Sequence, residues 1–142
     1  MTTTRTANAH WKGSLREGAG NVSLDSSGVG SFDVTWASRA EEANGKTSPE
    51  ELIAAAHSTC FSMALSAALA GDGHAPEAID TRADVGFEAG KGITGIQLTV
   101  RGRVEGLSND EFVAAAESAK QNCPVSQALT GTTITLDAAL AE

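Results

Sequence analysis

Two sulfur atoms set the chemical possibilities of this chain. Cys60, in STCFS at 58–62, and Cys123, in QNCPVS at 121–126, are its only cysteines. A thiol pair can act as nucleophile and resolver, cycling through a sulfenic acid and a disulfide. Both can equally be small apolar side chains filling a core, and residue type alone leaves the two readings open. Their settings differ. Cys123 precedes Pro124, a residue suited to the first position of a helix, so its sulfur is expected beside unpaired N–H groups that favour thiolate. Cys60 falls in an apolar run, where burial raises a thiol's pKa unless a cation stands close. Arg39, Arg16 and Lys12 are the candidate cations. His57, one turn before Cys60, raises a second chemistry, that of a Cys-His hydrolase, although residues at i and i+3 on a helix usually diverge from the geometry of proton transfer. A buried structural His is the plainer account. Three scattered histidines and two distant cysteines give no metal-ligand spacing, and GVG and EAGKG match no phosphate-binding loop.

The elements that must position these residues can be read from local signals. HWKGSL, GNVSLDS and GSFDVTW alternate and are separated by Gly and Ser, predicting a strand meander to about residue 37, followed by a polar loop, ASRAEEANGKT. Ser48, Pro49 and Glu51 form a capping box with Pro at the first helical position, so a long helix is expected to run through Leu69 until Gly71 stops it. IDTRADVGFEAG and GITGIQLTVRGRVEG predict a hairpin. Ser108 and Glu111 cap a second helix, with Phe112, Val113, Ala116 and Ala119 or Lys120 on one face. CPVSQAL is a short helix and TTITLDAAL a last strand. The order predicts an α+β fold in one domain spanning 1–142. The long helix is apolar on nearly every face, from Leu52 to Leu69, so it needs burial on all sides. A second copy of the chain supplies that more readily than 142 residues poor in large side chains.

Composition narrows the function. With 41% hydrophobic residues, no Tyr, four Phe and two Trp, the core must be mainly aliphatic. A formal charge of -8 repels phosphates, which argues against nucleic-acid and anionic-membrane partners. MTTTRTANAHWKG has no apolar signal region, and IAAAHSTCFSMALSAALA is interrupted by Ser, Thr and His, so neither a signal peptide nor a membrane span is expected. A reducing cytoplasmic setting follows, where paired cysteines are more often free or catalytic than structural.

TSPEELIAAAHSTCFSMALS and NCPVSQAL resemble the two signature segments of the OsmC/Ohr family of organic hydroperoxide reductases. The likeness runs from AHWKG to the last strand, with wording closer to the OsmC branch. It implies an intertwined α+β homodimer with a long buried central helix and antiparallel sheets, and a peroxiredoxin-like thiol peroxidase acting in oxidative or osmotic stress. The resemblance places Cys60 as peroxidatic and Cys123 as resolving cysteine, joined on oxidation in a redox-active disulfide. It places Glu50 as the first-turn glutamate and Arg39 as its arginine, with Arg16 as the alternative from the other branch. It further implies a dithiol reductant such as a lipoyl group or lipoylated protein, and no metal, flavin or haem. A non-catalytic dimeric stress or binding protein with inert thiols is the remaining alternative.

Overall fold

In a computed structural model, which describes residues 1–142, the alternating N-terminal segments form an antiparallel sheet of β1 (Asn8–Lys12), β2 (Ala19–Ser23) and β3 (Ser31–Val34). Where a polar loop was expected, a short helix α1 (Trp36–Ala40) forms instead. The cause is local: Thr35 Oγ1 accepts from the Ser38 N–H at 3.1 Å, and Ser38 Oγ accepts from the Thr35 N–H at 2.9 Å. This is a reciprocal cap with Ser in place of the usual Glu or Gln. The Ser38 hydroxyl also lies 2.8 Å from the Thr47 carbonyl, and Thr47 bridges Val34, tying α1 to the segment that enters the next helix.

That helix, α2, runs unbroken from Pro49 to Gly71. Only half of its expected capping box forms. Ser48 Oγ accepts from the Glu51 N–H at 3.1 Å, but the Glu51 carboxylate accepts from Thr47 Oγ1 at 2.6 Å rather than returning to the Ser48 backbone. The chain divides into two compact units, Met1–Leu52 and Ile53–Glu142, so the first turn of α2 belongs to one and the remainder to the other.

The second unit is built on β4 (Ala78–Glu88) and β5 (Gly92–Arg103), an antiparallel pair whose turn needs glycine at Gly90 and Gly92, with φ of 87° and 99°. Along β5, Ile96, Leu98, Val100 and Gly102 alternate inward. α3 (Asn109–Asn122) starts at a complete Ser108/Glu111 capping box, and α4 (Pro124–Ala128) has Pro at its first position. The last strand, β6 (Ile134–Leu140), corrects the expectation of antiparallel sheets: it pairs with β5 in parallel register, Ile96 opposite Ile134 through Gly102 opposite Leu140. A parallel return requires a crossover of a dozen or more residues, and α3 with α4 is that crossover.

One core cluster joins Phe61, Leu65 and Leu69 of α2, Ile96, Leu98 and Val100 of β5, Phe112, Ala116 and Ala119 of α3, and Cys123. The four-residue spacing of His57, Phe61, Leu65 and Leu69 draws a single buried stripe along α2. The helix is therefore not buried all round within its own chain, as its composition had suggested. Ala55, Ala56, Thr59 and Met63 are exposed on another face, Met63 by 68%. By length and hydropathy α2 could cross a membrane, and its buried stripe packs in the core of the second unit.

Candidate redox site

Cys123 lies between α3 and α4, where its backbone ends one helix and begins the next. Cys60 lies at mid-α2, packed against the core cluster that contains Cys123, and both thiols are free. The chain folds them together because the core stripe of α2 and the inner face of α3 share one cluster, which sets the α3–α4 corner against the middle of α2. Burial alone would raise the Cys123 pKa. Against it, the Ser126 N–H, the Cys60 thiol, the Ser126 hydroxyl and the Val125 N–H near the sulfur favour its charged form, and the net pKa falls below the ordinary cysteine value. Cys60 moves the opposite way: burial raises it first, then the neighbouring Cys123, with the Val125 N–H opposing. Within one chain, Cys123 is thus the more acidic of the two thiols.

His57 bonds to Ser126 rather than to Cys60: its Nε2 lies 2.7 Å from Ser126 Oγ, and both residues are buried. Nδ1 has no hydrogen-bond partner, a cost of about 1–3 kcal/mol. Burial lowers the His57 pKa and keeps the ring neutral. Sequence reasoning did not single out Ser126. Its three-residue spacing from Cys123 across Pro124 was the available signal, but the bond to His57 spans 69 positions.

In the first unit Arg39 and Glu50 meet. Nε donates to both carboxylate oxygens at 3.1 and 3.2 Å, and Nη2 donates to Oε2 at 2.9 Å. The Glu50 side chain is 7% exposed and that of Arg39 32%. Only arginine offers this planar two-point match to a carboxylate. The alternative cation, Arg16, has its guanidinium 5.8 Å from the centroid of the Trp36 ring, which lines the same cavity as Arg39. Two cavities accompany these groups. Arg39 lines one of about 450 Å³ together with Trp11, Leu15, Trp36 and Leu52. Cys60 lines another of about 620 Å³ with Ala55, Ala56, Thr59, Met63, Ala64 and Pro124. Phe61 does not join that second lining, because it is fully buried in the core.

Comparisons with known proteins identify the family and the fold. A family described as OsmC-like protein matches residues 42–137, which include the Glu50 turn, Cys60 and Cys123. The chain is 43% identical over 140 residues to peroxiredoxin OsmC of Escherichia coli K12, covering 96% of each. Among solved structures, an OsmC-like protein of Mycoplasma pneumoniae superposes with a TM-score of 0.74 at 12% identity, covering 100% of both chains. An organic hydroperoxide resistance protein of Elizabethkingia anophelis gives 0.69 at 26% identity, covering 99% of this chain and 100% of that one. On the family match and on 43% identity across nearly its full length, this chain belongs to the OsmC-like protein family.

Proposed function

We propose that the chain is a cysteine-based thiol peroxidase that reduces organic hydroperoxides to alcohols. It is a peroxidase of the peroxiredoxin class, in keeping with its E. coli relative, and the steps are our own reading. The Cys60 thiolate attacks the distal peroxide oxygen, the O–O bond breaks, the alcohol departs with a proton, and Cys60 is left as a sulfenic acid. The Cys123 thiolate then attacks that sulfur, hydroxide leaves to become water, and a Cys60–Cys123 disulfide closes. An external dithiol, such as a lipoyl group, reopens it. The observation that carries this reading is the pair of free thiols brought to one core cluster, with opposite pKa shifts and one of them facing a cavity.

The same observation requires a further part. Burial and the neighbouring Cys123 raise the Cys60 pKa within its own chain, so a cation beside it would favour the nucleophilic thiolate. Arg39, oriented by Glu50, fits that role, but ten residues of continuous α2 separate positions 50 and 60 by about 15 Å. A homodimer removes the difficulty. If two copies of α2 cross antiparallel near Ala55, the partner subunit's Glu50 and the partner subunit's Arg39 fall beside Cys60. The exposed face of Ala55, Ala56, Thr59 and Met63 suits such a crossing, because small side chains permit close approach. Both units of the chain, 1–52 and 53–142, would then serve one activity in the cytoplasm, as one domain of 1–142.

The test is a thiol titration before and after one equivalent of cumene hydroperoxide, with the alcohol assayed. Loss of two thiols per chain with one alcohol formed is expected. Unchanged thiols would overturn the peroxidase reading in favour of a binding or stress protein.

A further inference from the structure

On the peroxidase reading, a peroxide that reaches Cys60 enters the cavity of about 620 Å³ that Cys60 shares with Met63. Of the residues lining it, only these two carry sulfur. They stand three positions apart on one unbroken helix, which makes them neighbours with Cβ atoms about 5–6 Å apart. Met63 is 68% exposed, whereas Phe61 two residues earlier is fully buried, so the core does not claim the Met63 thioether. On the proposed dimer it lies about 12 Å along α2 from a crossing at Ala55, on the side of Cys60. Once Cys60 and Cys123 are joined in a disulfide, the cavity holds no thiol, and the thioether is the reductant left within it.

We propose that Met63 is an oxidation site served by the Cys60 cavity: an organic hydroperoxide held there by its apolar tail gives its oxygen to the thioether when peroxide outruns reduction of the disulfide. A sulfur lone pair attacks the distal oxygen, the O–O bond breaks, and an S–O bond forms. The proton of the distal oxygen passes to the alkoxide, which leaves as the alcohol. Sulfur loses the two electrons that the peroxide gains, so no further reactant is needed. The product, methionine sulfoxide, is polar where the thioether was apolar. Oxidised Met63 therefore receives an apolar tail poorly and shifts the protein away from bulky peroxides. Because the chain has two methionines, Met1 at the terminus and Met63, a one-oxygen mass gain on the peptide carrying Met63 reports this site.

The first arm of the test uses the full chain carrying Cys60→Ala, which removes the peroxidase step, with N-acetylmethionine amide in the same tube as an unassisted thioether. Met63 sulfoxide is followed by peptide mass spectrometry under cumene hydroperoxide and under hydrogen peroxide. Relative to the reference thioether, Met63 should react about tenfold faster with cumene hydroperoxide than with hydrogen peroxide, the effect of removing about 55 Å² of tail from water. An excess of cumyl alcohol, which competes for the cavity, should erase that preference. Equal relative rates for the two peroxides, or a preference that the alcohol leaves intact, would overturn the proposal. In the second arm, wild type and Met63→Leu are treated with excess cumene hydroperoxide, their disulfides are reduced again, and kcat/KM is compared for the two peroxides. The preference for cumene hydroperoxide should fall in wild type and hold in Met63→Leu; a fall in both, or in neither, would overturn the effect on selectivity. A wild type inactive before any treatment would sink the peroxidase reading and leave the first arm to decide the site.

Discussion

Mixing two inactive variants tests where the activating cation comes from. Glu50→Ala removes the carboxylate that holds the Arg39 guanidinium at three contacts between 2.9 and 3.2 Å, and Cys60→Ser removes the nucleophile. On the proposed dimer each variant alone should be inactive, the first because a misplaced guanidinium costs about 10²-fold in rate and the second outright. The geometry of α2 then fixes what a mixture does. Glu50 and Cys60 lie ten residues apart on one unbroken helix, about 15 Å, which is farther than an arginine held by one can span to the other. In a two-fold dimer crossing near Ala55, a heterodimer keeps one complete site, the intact Cys60 of the Glu50→Ala chain facing the partner subunit's Glu50. Co-refolding equal amounts gives about half heterodimers by random exchange, each with one of two sites working, so about a quarter of wild-type turnover should return. Cumene hydroperoxide consumption with a dithiol reductant, on dimers counted by native mass spectrometry, provides the measurement. Verified heterodimers no more active than the parent variants would refute the reasoning and place the cation within the chain of the cysteine it serves.

Three other outcomes are expected. The folded pKa of His57 is lowered by burial, so its contribution to stability is present above the unfolded value of 6.5 and is lost as pH falls through the folded pKa; the urea midpoint should fall more steeply on acidification below pH 6.5 for wild type than for His57→Gln, and parallel curves would contradict this. A Cβ at Gly102 would lie 2.5 Å from Phe112 Cε1, so Gly102→Ala should cost about 1–3 kcal/mol in chemical denaturation and be partly rescued by Phe112→Leu; additive losses would exclude the clash. Met63 lines the cavity at Cys60, so Met63→Glu should lower kcat/KM for cumene hydroperoxide more than for hydrogen peroxide, which has no apolar tail to bury at about 25 cal/mol per Å²; equal losses would show that the cavity does not hold the tail.

Much of the fold was legible because its signals act within four residues. The Ser108/Glu111 box, Pro124 opening α4 and Gly90 and Gly92 turning β4 into β5 are set by hydrogen bonds or dihedrals among neighbours, and each formed as read. Thr35 and Ser38 acted at the same range, but a box closed by Ser was not recognised, and α1 was missed. The two cysteines, and Glu50 with Arg39, were legible as residue types and by resemblance. Tertiary structure alone decided what depends on which surfaces meet. The parallel pairing of β6 on β5 follows from the path of a crossover whose length local propensity does not direct. The one-sided burial of α2 depends on how much core a single chain can offer. The reach of His57 to Ser126 joins groups 69 positions apart, a contact that closes only once α2 and α3 share a core, because no local hydrogen bond specifies it.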